Sequence, residues 1–414
     1  MQMELLSLKS SESKCQPLKG RSILLGVCGS VSAYKAPLLA RLLVKSGARV
    51  RACFSSSASH FIGPETFRGI TGLVPYSASY RGDQSLGAEP HITIAEQADL
   101  FVIYPATANT IAKLAGGLAD DPVTLTALAF KGEKIVSPAM ATEMWENEKT
   151  TENCRTLKNS GYHFIGPASG ELASGKSGAG RLVEPEDIFE SVKYRLGKKD
   201  GLLNGRKIIV SAGGTKEAID PVRFIGNHSS GKMGHALAEA ARDMGADVSL
   251  VTTIPYFQSS NIEVHLVSSA REMKEKIDSL SSGKELLIMA AAVADFRPEK
   301  PLGDKYKKDP QKEPPRIELI ENPDIVKTAK IPFKVAFAAE TSDLEANAKL
   351  KLSRKGVDLV VANDVTLNSF GSDNNQVTIF SKTGERTLLP ESDKYCLANS
   401  ILELVSQELG NQAK

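Results

Sequence analysis

Between Val210 and Gly234 the chain collects small residues, amides, hydroxyls and cations in an order that suits an anionic ligand. A β run, Lys207-Ile208-Ile209-Val210, feeds Gly213-Gly214-Thr215, where little side chain would separate backbone N–H groups from a phosphate. A polar loop follows with Arg223, Asn227, His228, Ser229, Ser230 and Lys232, and a helical pattern begins at about Met233. Gly226, Gly231 and Lys232 approach the spacing of a P-loop. Met233, however, stands where a magnesium-binding Ser or Thr belongs, and the segment DPVRFI intervenes between strand and loop. The stretch predicts a nucleotide or phosphate site, but not an ordinary P-loop NTPase.

The rest of the chain predicts the elements that position such loops. At 414 residues it is long enough for two or three domains, and 41% hydrophobic with 24% charged residues is a globular composition. The net charge of +2 gives no global reason to expect nucleic acid, and no apolar run approaches the roughly 18 residues of a membrane span. Five scattered cysteines without a CxxC pattern argue against disulfide or zinc frameworks and for a reducing compartment, with the cytoplasm as default. Residues 1–20 read as a polar tail. Ser22–Val27, a Gly/Ser turn through Lys35, a Leu/Ala helix and Ala48–Phe54 then repeat the strand–turn–helix–strand order of a doubly wound parallel sheet. Asp99–Ile103, Lys134–Ser137 and Tyr162–Ile165 continue it, and Gly166–Gly180 reads as a long mobile flap. A charged helix from Glu184 leads to a linker at 197–204. Alternation then restarts with strands at 207–212, Asp247–Thr252, Glu285–Ala290, Lys334–Ala339, Leu359–Ala362 and Val377–Phe380, and helices at 233–244, Ala270–Leu280 and 343–355. Arg297–Pro315, crowded with Pro and Lys, is either a solvated linker or a basic flap over an anion.

Six motifs carry a resemblance. They are Gly29–Lys35 (GSVSAYK), Pro105–Thr110 (PATANT), residues 138–145 (PAMATEMW), DPVR with NHSSGKMG through Gly234, Ala291–Asp295 (AAVAD), and Asn322–Val326 (NPDIV). In this order the chain resembles the bifunctional phosphopantothenoylcysteine decarboxylase/phosphopantothenate–cysteine ligases of coenzyme A biosynthesis, of the bacterial, CTP-using type, over about residues 20–405. The resemblance implies two Rossmann-like α/β domains. The first, at 21–196, is a flavodoxin-like flavoprotein domain binding FMN; the second, at 205–408, is a parallel-sheet ligase domain.

In the first domain the resemblance implies that Ser30 and Ser32 hold the FMN phosphate. Ser55 and Ser57 lie near the flavin edge, Thr107 and Asn109 bond around the ring or ribityl chain, and His91 is the catalytic histidine. An imidazole with an ordinary pKa of about 6.5 can take the substrate's thiol proton at neutral pH. In the second domain it implies that Asn227 stabilises an acyl-cytidylate and that Lys305 contacts the nucleotide. Gly213, Gly214, Thr215, Met289, Ala290, Ala291, Asp295, Pro323, Asp324, Ile325, Val326, Phe337, Lys351 and Lys355 would surround CTP or substrate, Asp295 also being a magnesium ligand. The partners so implied are 4′-phosphopantothenate, L-cysteine and CTP. The implied assembly is a dodecamer of flavin-domain trimers joined by ligase-domain dimers.

Two departures fall on the chemistry of the flavin half. Ala141 stands where the family's asparagine holds the substrate carboxylate, and Ser174 where its cysteine acts as acid. A serine hydroxyl is a far weaker acid than a thiol of pKa about 8.5. In one reading Thr142, Glu143, Lys176 or water takes over these roles; in the other an active ligase carries a catalytically impaired flavin-binding scaffold.

Overall fold

The computed structural model describes residues 16–77, 87–256, 261–307, 316–340, 343–364 and 372–412. The expected tail up to residue 15 and positions 308–315 of the Pro/Lys-rich stretch lie outside the described residues. Two compact units divide at Leu196/Gly197.

In the unit Gln16–Leu196, β1 (Ser22–Val27), β2 (Arg49–Phe54), β3 (Leu100–Ala106), β4 (Glu133–Pro138) and β5 (Tyr162–Phe164) form a parallel sheet in the order 2-1-3-4-5. Their side chains alternate between two cores, as the pleat requires. Leu25, Val27, Val102 and Tyr104 join Leu39, Leu43 and Ile188 on one face, while Leu24, Phe101 and Ile103 join Ile94, Ile111 and Leu157 on the other. Burial on both faces explains why these strands are continuous apolar runs. The Gly166–Gly180 stretch, expected as a loop, is instead an antiparallel hairpin of β6 (Ala168–Glu171) and β7 (Ser177–Arg181). Its Gly/Ser composition hides the strands because such residues have little β-propensity.

Helix Pro185–Asp200 runs into the second unit and occupies half of the expected linker. A Cβ at Gly197 would lie 2.1 Å from Asp243 O, and one at Gly201 2.2 Å from Met244 O, so this passage is packed against backbone. The unit contains β8 (Lys207–Ala212), β9 (Lys216–Ala218), β10 (Phe224–Gly226), β11 (Asp247–Thr252), β12 (Glu263–Leu266), β13 (Leu286–Met289), β14 (Phe296–Pro298), β15 (Leu319–Glu321), β16 (Phe333–Glu340), β17 (Leu359–Asp364), β18 (Asn374–Ser381) and β19 (Arg386–Asp393). Its main sheet has the order 12-11-8-13-16-17-18-19. The strands through β17 are parallel, but β18 and β19 run antiparallel at one edge, a departure from an all-parallel expectation. β9 pairs with β10 and β14 with β15 as two small ribbons, so the Pro/Lys-rich stretch begins as a β arm. Among the described residues no helix is long and apolar enough to cross a membrane.

Candidate active sites of the two units

In open parallel sheets, ligands sit at the carboxyl ends of strands where the winding reverses. In the first sheet that place is between β1 and β3. Ser30 ends the β1 turn and caps the single helical turn Val31–Lys35, its Oγ accepting Ser32 N–H at 3.2 Å. A Cβ at Gly29 would fall 2.3 Å from Ser57 Oγ, so glycine is what lets the β1 and β2 loops meet. Ser55 Oγ is buried without a regular hydrogen-bond partner; the neighbouring Cys28 thiol, pushed up to about 12 by burial, is a weak one. Thr107 caps helix Ala108–Ala115 by accepting Thr110 N–H at 3.2 Å, and Asn109 is exposed on that helix's first turn.

Ser30 and Ser32 line a cleft of about 610 Å³ together with Tyr34, Lys35, Met140, Ala141, Ser174 and Arg181. The structure therefore brings Ala141 and Ser174, far apart in sequence, to one cavity. Ser55, Ser57, Thr107 and Asn109 are not in its lining but stand at the carboxyl ends of β2 and β3. His91, half-buried in the first turn of helix Pro90–Glu96, is not in the lining either. That helix packs through Ile94 and Ala95 into the core on the opposite sheet face from helix Ala36–Lys45. Lys35 is nearly buried and reaches Glu184 at 2.8 Å, and Arg181 reaches the same carboxylate at 2.7 Å. Lys35 first, and Arg181 with it, hold the Glu184 carboxyl below its usual range.

In the second sheet the reversal lies between β8 and β13. Gly213, at φ +83°, turns the chain where a Cβ would meet Thr253 Oγ1 at 2.2 Å. The loops then run side by side: Ala292 N–H donates to Gly213 O at 2.8 Å, Thr215 N–H to Ala292 O at 3.2 Å and Ala294 N–H to Thr215 Oγ1 at 2.9 Å. This pairing places Gly213, Gly214 and Thr215 beneath the site, buried and outside the lining of either cleft described below, where open phosphate-facing backbone was expected. Directly over them, Asn227 O would meet a Gly214 Cβ at 2.4 Å, and the Asn227 side chain donates to Val293 O at 3.1 Å.

Two clefts flank this floor. One, of about 530 Å³, gathers Met289, Ala291, Asp295, Pro323, Asp324, Ile325, Val326, Phe337, Lys351 and Lys355, ten of the residues singled out in the sequence. The other, of about 370 Å³, holds Asn227, His228, Ser229, Lys232, Ala290, Asn363, Asn375 and Lys394. Ala291, Val293, Asp295, Phe337 and Lys351 belong to both walls. Lys351 and Lys355, one turn apart on helix Leu344–Lys355, face the larger cleft; Lys351 Nζ donates to Phe337 O at 2.6 Å and Lys355 Nζ to Asp324 Oδ2 at 2.7 Å. Asp324 Oδ1 meanwhile caps helix Ile325–Thr328. Asp295 is exposed on the shared wall, and among the described residues no three His, Cys, Asp or Glu side chains cluster as a ready metal site.

Lys305 lines neither cleft and is exposed on the arm after β14. The arm is anchored nearby: Tyr306 N–H donates to Asp220 Oδ2 at 3.2 Å, and Arg223 donates to Tyr306 O at 3.1 Å. The Arg223 guanidinium, with the amides of Val222, Arg223 and Tyr306, holds the Asp220 carboxyl well below the usual carboxylate range. Asn363, Asn375 and Lys394 were not anticipated from the sequence. The buried, unpartnered Oδ1 of Asn363 at the end of β17 marks one of them only once the fold is known.

The chain is similar to known proteins throughout. The Flavoprotein family matches residues 11–197 and the DNA/pantothenate metabolism flavoprotein C-terminal domain family matches residues 203–409. The coenzyme A biosynthesis bifunctional protein CoaBC of Vibrio cholerae is 40% identical over 403 residues, covering 95% of this chain and 100% of that protein. Its namesake in Bacillus subtilis is 40% identical over 398 residues (94% and 97% covered), and that in Mycobacterium tuberculosis 38% over 405 (93% and 96%). With both halves matched in order over nearly the entire length of these relatives, the chain belongs to the family of coenzyme A biosynthesis bifunctional proteins.

Proposed function

We infer that the chain is a two-activity enzyme of coenzyme A biosynthesis, a phosphopantothenate–cysteine ligase fused to a phosphopantothenoylcysteine decarboxylase. The observation that carries the ligase reading is the pair of clefts that share a wall at Val293, Asp295 and Lys351, with Asn227 in the smaller cleft bonded to Val293 O. CTP occupies the larger cleft, with Lys351 and Lys355 toward its phosphates or base edge. 4′-Phosphopantothenate occupies the smaller one, where Lys232, Lys394 and the amides of Asn363 and Asn375 suit a phosphate and an amide chain. Its carboxylate then reaches the shared wall and attacks the α-phosphate, pyrophosphate leaves, and the amine of L-cysteine displaces CMP from the acyl-cytidylate. The Asn227 amide donates a hydrogen bond where charge develops on the attacked carbonyl. Lys305 comes to the nucleotide with the arm. The Asp295 carboxylate would hold Mg²⁺, which would supply charge neutralisation for the nucleotide phosphates, with water completing its shell.

In the flavin half, the unpartnered Ser55 hydroxyl and the glycine-dependent approach of the β1 and β2 loops fit FMN. Ser30 and Ser32 would take its phosphate, and Ser57, Thr107 and Asn109 its ring or ribityl chain. FMN, when bound, accepts and returns the electron pair of the cysteine moiety. His91 takes the substrate thiol proton. We further place the enzyme in the cytoplasm, in keeping with its free thiols, and assign it to a homo-oligomer. Exposed Val31 and Tyr34, which line the flavin cleft, and exposed Leu38 on the helix that follows are side chains that such an assembly would cover. His91 would then complete a site at a subunit contact. A ligase with an inactive flavin scaffold is favoured by Ala141 and Ser174 alone, against the match of the flavin domain and of the whole chain to bifunctional relatives.

Omitting cysteine tests the ligase chemistry. With 4′-phosphopantothenate, CTP and Mg²⁺ alone, a single-turnover experiment is expected to release pyrophosphate and retain an acyl-cytidylate; pyrophosphate release that requires cysteine would overturn this order of steps. Asp324→Ala removes a helix cap and the partner of Lys355. It is expected to lower the unfolding free energy by about 1 kcal/mol and to raise the KM for CTP more than that for cysteine, as denaturation and initial-rate measurements will read.

A further inference from the structure

The hairpin β6–β7 is fastened to the segment Met140–Glu143 at three points. Met140 N–H donates to Gly180 O at 3.0 Å. A Cβ at Gly178 would lie 2.3 Å from Thr142 Oγ1, so this segment and the hairpin pack with no room for a side chain. Lys176 Nζ donates to Glu143 Oε1 at 2.7 Å. The first two contacts involve backbone and cannot be exchanged without moving the strand. The third joins two side chains that are 70% and 65% exposed, and such pairs contribute little.

The position of this pair is more telling than its strength. Glu143 lies two residues beyond Ala141 and Lys176 two beyond Ser174, and both Ala141 and Ser174 line the cleft. The charged side chains in that lining are Lys35, Glu171 and Arg181. Lys35 and Arg181 share Glu184, while Glu171 would repel a carboxylate. Lys176, in the hairpin turn and outside that lining, presents three N–H donors and is tied to the Glu143 carboxylate. Glu143 thus occupies Lys176 as an incoming carboxylate would.

We propose that Lys176 recognises the carboxylate that the decarboxylase removes, exchanging Glu143 for the substrate and so distinguishing the carboxylated substrate from its decarboxylated product. The proposal rests on the decarboxylase reading of this cleft. It gives the flap a cation at the one group that differs between substrate and product, at a place where Ala141 offers no polar atom. Product, lacking that group, leaves Lys176 to return to Glu143.

Full-length, flavin-bound protein can be titrated calorimetrically with two unreactive ligands, phosphopantothenoylserine and its decarboxylated counterpart, phosphopantothenoylethanolamine. Lys176→Met is expected to weaken the serine ligand about tenfold, the size of one lost charge-assisted contact, and to leave the ethanolamine ligand unchanged. Lys176→Arg should restore most of the loss, and with true substrate the defect should appear in KM rather than kcat. Equal weakening of both ligands would make Lys176 a structural fastener and overturn the proposal, as would no weakening of either. If wild-type protein binds neither ligand, the decarboxylase reading of the cleft fails, and the proposal with it.

Discussion

Asn227→Ala is expected to lower ligation by about 10²–10³-fold, the range for removing one hydrogen-bond donor aimed at developing charge. The side chain is exposed and makes one structural hydrogen bond, to Val293 O at 3.1 Å, so its removal should cost the fold little. Its position in the smaller cleft, bonded to Val293 O on the wall that both clefts share, makes the loss specific. The walls of both cavities are otherwise intact in this variant, and only the amide beside the shared wall is gone. KM values should therefore move far less than kcat. Flavin absorbance and decarboxylation of supplied phosphopantothenoylcysteine should be unaffected. Ligation within a fewfold of wild type would remove Asn227 from the reaction.

Gly29→Val is expected to have the opposite pattern, eliminating bound flavin and decarboxylation while ligation persists. A Cβ there would come within 2.3 Å of Ser57 Oγ, 2.7 Å of Ser57 Cβ and 3.1 Å of its backbone carbon, so a side-chain rotation alone cannot relieve the clash. The β1 and β2 loops must separate, which dismantles the ground on which Ser30, Ser55 and Ser57 stand together. Gly29→Ala combined with Ser57→Gly should recover part of the flavin content, because the companion change removes the hydroxymethyl group in the way. A flavin spectrum unchanged in Gly29→Val would show that this approach of loops does not form the cofactor site.

Local pattern made much of the architecture readable. Asp247–Thr252 and Ala270–Leu280 fall where alternation and apolar period predict them, because each is decided by residues within itself. The grouping of Met289, Asp295, Pro323–Val326 and the Lys351/Lys355 pair was also legible: they sit at strand ends and on one helix face, and the sheet order brings them to one cavity. What escaped depends on long-range pairing. The β6–β7 hairpin forms from Gly- and Ser-rich segments whose register is fixed by Met140 and Thr142, not by their own propensity. Asn363, Asn375 and Lys394 come from β17, β18 and the last helix and share no local motif. The Gly213–Thr215 turn shows the limit from the other side. Its small residues permit close approach, but what approaches is Ala292 and Asn227, so the glycines form the floor beneath Asn227.

One chain performs both reactions, and coupled product analysis tests this most directly. Purified protein is supplied with 4′-phosphopantothenate, CTP, Mg²⁺ and L-cysteine while CMP, carbon dioxide and phosphopantetheine are quantified together. Equal amounts of the three are predicted, with phosphopantothenoylcysteine appearing only transiently. CMP formed with stable phosphopantothenoylcysteine and no carbon dioxide would contradict the account and leave the flavin half as a scaffold.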